Sequence, residues 1–75
     1  MTETQQFTAL IEREGDGYVA LCAELDIASQ GTTVEDARRN LEEALQLFFE
    51  TASASEIEDR LHSEVYVTRL SIPIA

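Results

Sequence analysis

The sequence has no lysine, one cysteine, one proline, one histidine and only three glycines among its 75 residues. All five cations are arginines, and against fifteen carboxylates they leave a formal net charge of −10. Such a surface repels phosphate and argues against direct nucleic-acid binding; it suits a basic protein partner, and solvation alone explains it equally simply. Cys22 has no second cysteine to bridge to, and its place in the apolar run YVALCA marks a buried thiol, not a nucleophile. No His/Cys cluster with zinc spacing exists. Two of the three glycines share one turn, so no Walker loop or GxGxxG cradle can form. No apolar run approaches the roughly 20 residues needed to span a bilayer, and the start TETQQ lacks a signal pattern. A cytoplasmic location is the expectation.

Catalytic groupings are equally scarce. The serines at 29, 53, 55, 63 and 71 have no G-x-S-x-G elbow around them. His62 lies in a polar stretch and reads as a solvated surface residue. Asp16, Glu24, Asp26 and Glu50 could in principle meet around a magnesium ion, but their spacing does not demand it and a solvated face is the simpler reading. No catalytic, cofactor-binding or metal-binding residue is assigned, and an enzyme is not expected.

What the chain does contain is one well-written helix. In Gly31–Thr51, Val34, Ala37, Leu41, Ala44, Leu45, Phe48 and Ala52 repeat at helical intervals. Thr33 is placed as N-cap, with Asp36 as the return half of a shortened capping box and Glu35 adding charge at the positive end of the dipole. Arg38 and Arg39 suit ion pairs at i,i+4 spacing, Glu35–Arg39 and Arg38–Glu42. Leu47 points away from the stripe and Phe49 lies at its margin. A chain this short buries only about 60% of its unfolded surface, so the helix needs a sheet beneath it, and the domain has reason to seek a partner subunit.

Strands precede the helix. Met1 to Gln5 is polar and expected to fray. Gln6–Glu14 and Tyr18–Ala23 alternate and flank Gly15-Asp16-Gly17, which predicts an antiparallel hairpin. A two-residue loop places Phe7, Ala9 and Ile11 on one face with Tyr18, Ala20 and Cys22, and Leu10 on the other with Val19 and Leu21; a three-residue bulged loop would shift this register. One helix cannot cover both faces, so Leu10, Val19 and Leu21, together with Leu47 and Phe49, are the candidate partner or subunit contacts. Leu25–Gln30 reads as a third strand. In Ala52–Glu64, small residues break the helix, and Ile57 and Leu61 suggest a short second helical turn. Val65–Ile74 (VYVTRLSIPI) alternates as a further strand, with Tyr66, Thr68, Leu70, Ile72 and Ile74 on one face, and Pro73 puts this end at an edge or at the strand's terminus. The expectation is a single α+β domain over residues 1–75, ordered β-β-β-α-β, its antiparallel sheet covered on one face by one main helix.

Tyr18, Ala20, Cys22, Glu24, Leu25, Ser29, Gly31, Thr33, Glu35, Ala37, Leu41 and Ala44 together form a dense pattern from Gly17 to Glu50. That pattern resembles the HicB antitoxin family: a hairpin, a Y-x-A-x-C-P-E-L-like strand, an S-x-G-x-T-x-E-E-A helix entry and an apolar helix. Ala23 stands where the family often has proline. The resemblance implies a truncated, catalytically inactive ribonuclease-H-like domain. It also implies a partner, a small basic HicA-like toxin that cleaves RNA, and assembly into dimers or tetramers. Full-length members add a C-terminal DNA-binding module. None is expected here, so autorepression is not expected either, and the alternative is a solitary homo-oligomeric domain without a cognate toxin.

Overall fold

A two-residue hairpin starts the architecture. In the computed structural model, which describes residues 4–62 and 64–75, strand β1 (Ala9–Glu14) pairs antiparallel with β2 (Gly17–Cys22). Gly15 takes φ +59° between them, the left-handed first position of a type II′ loop, whose twist matches the flanking strands. The register is the two-residue one: Leu10 faces Leu21 and Ile11 faces Ala20. Strand β3 (Ile27–Gly31) pairs antiparallel with β2, so the sheet order is β1-β2-β3.

The strands are shorter than expected at their outer ends. Phe7 and Thr8 precede β1, while Ala23 to Asp26 form the turn between β2 and β3. Leu25, expected in the third strand, is fully buried in that turn, and Asp26 adopts φ +55° to reverse the chain. The polar start expected to fray falls partly on residues 1–3, and Ser63 of the second-helix segment is also outside the described residues.

Helix α1 (Val34–Thr51) runs back across the sheet, mainly over β2 and β3. The Thr33 hydroxyl accepts the Asp36 amide at 3.0 Å. The expected return bond of a capping box is replaced: the Asp36 carboxylate accepts the Thr32 hydroxyl at 2.9 Å and pairs with Arg39. The helix-face ion pairs are therefore i,i+3, Asp36–Arg39 and Glu35–Arg38, not the i,i+4 pairs expected: Asp36 takes Arg39, and Glu35 pairs with Arg38 instead. Gly31 is required by packing. A Cβ there would press into the Ala37 amide nitrogen and stand 2.7 Å from the Asp36 carbonyl carbon. Helix α1 thus starts almost against the end of β3.

Ala20, Cys22, Leu25, Ala37 and Leu41 form the buried core, with Phe7, Ile11, Tyr18, Ile27, Leu45 and Phe48 packed around it. Small residues on the sheet face let the helix lie close over β2 and β3. Val34, expected in the stripe, is about half exposed because the first turn overhangs the sheet end. After Ala52, a full capping box on Ser53 and Glu56 starts helix α2 (Ala54–Arg60), the second helical turn expected from Ile57 and Leu61.

The final strand is the main departure. Among the described residues, none from 64 to 75 belongs to a helix or strand. Val65–Ile74 lies outside the three-stranded sheet, and Tyr66, Val67, Leu70, Ile72 and Ile74 face solvent.

Candidate interaction surfaces

Three surfaces carry the residues singled out from the sequence. The first is the outer face of the sheet. Strand alternation turns Leu10, Val19 and Leu21 away from α1, with Leu10 directly opposite Leu21 on the neighbouring strand. Leu10 is 43% exposed, and Val19 and Leu21 are half-buried. Glu12 and Glu14 share this face on β1, and Ala28 and Gln30 extend it on β3. It is a small apolar centre with carboxylates at one side.

Leu47 and Phe49 do not join that face. They sit on opposite flanks of α1. Leu47, 58% exposed, borders a shallow groove of about 480 Å³ along β3, together with Ile27, Ala28, Phe48 and Arg60. Phe49 closes the other flank, where its ring lies 5.5 Å from that of Phe7 and 5.4 Å from that of Phe48. Phe7, Ala9, Leu41, Leu45 and Phe49 line an open groove of about 810 Å³ between α1 and β1. This groove exists because α1 is displaced towards β3 and leaves the β1 side uncovered. Sequence periodicity places Phe49 at the stripe margin but carries no information on that displacement.

Glu24 organises the end of the sheet where the chain leaves the domain. Its carboxylate accepts the Thr8 amide at 2.8 Å, the Thr8 hydroxyl at 2.7 Å and the Cys22 thiol at 3.7 Å. Its backbone carbonyl accepts the His62 amide at 2.7 Å. Partial burial pushes the Glu24 carboxyl up, but hydrogen bonds, chiefly from Thr8, outweigh it and hold it below the ordinary carboxylate value. Burial pushes the Cys22 thiol up, as expected for a structural cysteine without nucleophilic character. At the helix entry, the Thr32 hydroxyl leads the interactions that hold Asp36 low. Arg60 donates to the carbonyls of Leu25 and Asp26 at 3.4 and 3.3 Å and so anchors α2 to the same end.

The four carboxylates considered for a cation do not converge. Asp16 sits at the hairpin tip and Glu24 and Asp26 at the opposite end of β2. Among the described residues, no group of three or more potential metal ligands comes together. His62 is exposed. No described helix is long and apolar enough to cross a membrane. Comparison with protein-family models, curated proteins and solved structures finds no match to this chain.

Proposed function

We propose that this protein is a binding module of the HicB-like antitoxin type, which neutralises a small basic HicA-like RNA-cleaving toxin by direct contact. On this reading it acts in the cytoplasm and has no catalysis of its own. One observation carries the reading. Among the signature residues, Ala20, Cys22, Leu25, Ala37 and Leu41 are the core, Gly31 makes the helix–strand contact and Thr33 caps the helix. The sheet face opposite the helix remains for a partner. Leu10, Val19 and Leu21 offer it an apolar centre, while Glu12, Glu14 and the net charge of −10 favour a cationic surface.

Charge complementarity of this kind predicts a complex that weakens as salt screens it. The test is co-expression with the small basic protein encoded beside this chain. Restored growth of toxin-expressing cells, and a co-purifying complex that dissociates with rising salt, support the reading. Growth arrest without rescue, or a neighbourhood encoding no such protein, overturns it.

A further inference from the structure

We propose that Val65–Ile74 is an exchanged strand, which adds to the free β1 edge of a second copy of this chain while the second copy's strand adds to the first. The proposal stands independently of any toxin.

The arm itself supplies the first observation. Tyr66, Leu70 and Ile74 are 82%, 79% and 91% exposed, and Val67 and Ile72 are also well exposed. Large apolar residues are not ordinarily displayed in series on one projecting segment. At about 3.3 Å per residue, ten extended residues reach about 33 Å. The molecule accordingly measures 51 × 28 × 20 Å, with a radius of gyration of 14.5 Å, where a compact chain of this length has about 11 Å. The arm's exit is fixed by Arg60 on the Leu25 and Asp26 carbonyls and by the His62 amide on Glu24.

The sheet supplies the acceptor. The Thr8 carbonyl accepts the Ala23 amide at 3.2 Å, so Thr8, Leu10, Glu12 and Glu14 turn their backbone groups towards β2. Alternation then turns the amides and carbonyls of Ala9, Ile11 and Arg13 to the open edge. The other edge is already dressed. On β3 the outward carbonyl of Gln30 accepts the Asn40 side-chain amide at 2.8 Å. An unprotected edge is a template for a further strand, and among the described residues that edge is β1.

Side chains fit the same placement. Beside β1 lies the groove whose apolar lining is Phe7, Ala9, Leu41, Leu45 and Phe49, with polar and charged residues of α1 alongside them. Tyr66, Leu70, Ile72 and Ile74 share one face of the arm and fill that groove, while Arg69 turns to the outer face, where β1 carries Glu12 and Glu14. In the antiparallel addition proposed, the residues facing the groove are also those that pair, so Thr68, Leu70 and Ile72 pair to β1 and Pro73 falls on the alternate set, which needs no donor.

Light scattering on the full chain during size exclusion tests the exchange. A particle of twice the 8.4 kDa chain mass is expected. Leu70→Pro deletes a pairing amide and is expected to abolish the dimer; Ser71→Pro deletes an unpaired one and is expected to leave it intact. Circular dichroism checks that both variants keep the fold. A monomeric wild-type protein with amides 66–72 protected from exchange means that the arm folds onto its own β1, which overturns the proposal. A dimer that survives Leu70→Pro but dissociates on Leu21→Glu means association through the outer face, which overturns it as well.

Discussion

Glu24 holds Thr8 by both its amide and its hydroxyl, at 2.8 and 2.7 Å, and so fastens the start of β1 to the turn after β2. Hydrogen bonds to a charged acceptor contribute more than neutral ones, about 1.5–3 kcal/mol against about 1 kcal/mol. Thr8→Val, which keeps the shape and the amide bond, is expected to cost about 1.5 kcal/mol, and Glu24→Ala, which removes both bonds, about 3 kcal/mol. Urea unfolding measures both. Equal stability of wild type and Glu24→Ala would show that solvent replaces the clasp without loss.

The same clasp sets an acid dependence. Glu24 is held below its ordinary value in the folded chain, so its contribution is fully present above the unfolded pKa of about 4.3 and is lost as pH falls through the lower folded value. Protonation of the other acids works in the opposite direction by relieving self-repulsion at net charge −10. A difference between proteins removes that common background. The stability gap between wild type and Glu24→Ala is expected to be constant near neutrality and to shrink below about pH 4.3. A gap that widens on acidification would contradict the assignment.

Two glycines separate close packing from backbone conformation. A Cβ at Gly31 would meet the backbone of Asp36 and Ala37, which cannot move without shifting the start of α1. Gly31→Ala is therefore expected to cost about 3 kcal/mol or to prevent folding. At Gly15 nothing lies near the added carbon, and only the positive φ opposes it. Gly15→Ala is expected to cost about 1 kcal/mol, and Gly15→Asn less, because asparagine tolerates that region. Thermal unfolding of the three variants gives the order directly.

Elements governed by local spacing were legible in the sequence, and those governed by relative placement were not. Helix α1 and its Thr33 cap follow from periodicity and one hydroxyl. The hairpin register follows from a two-residue loop, since a one-residue slip would turn Ala20 and Cys22 out of the core. By contrast, Thr8 and Glu24 are sixteen residues apart, and no local pattern joins them. Leu47 and Phe49, two residues and about 200° apart on the helix, take opposite flanks by helix geometry alone, but that both flanks are open grooves follows from where α1 sits on the sheet. The alternation in VYVTRLSIPI writes the face of a strand. It contains nothing about which edge, or whose, that strand meets.

The two leucines of α1 that differ most in burial give the sharpest test of how the helix is used. Leu41 is 2% exposed within a core of five buried residues among those described, whereas Leu47 stands outside it. Truncating a buried leucine loses its transfer free energy and leaves a cavity, together about 2–5 kcal/mol. That is a large share of the stability of a domain this small. Leu41→Ala is expected to unfold the protein at ambient temperature or to move its urea midpoint close to zero. Leu47→Ala, on the solvent side of the groove along β3, is expected to stay within about 0.5 kcal/mol of wild type. Any effect of Leu47→Ala should therefore show in association and not in folding. Substantial destabilisation by Leu47→Ala in the isolated protein would place that side chain inside the folded core and remove it from the candidate contacts.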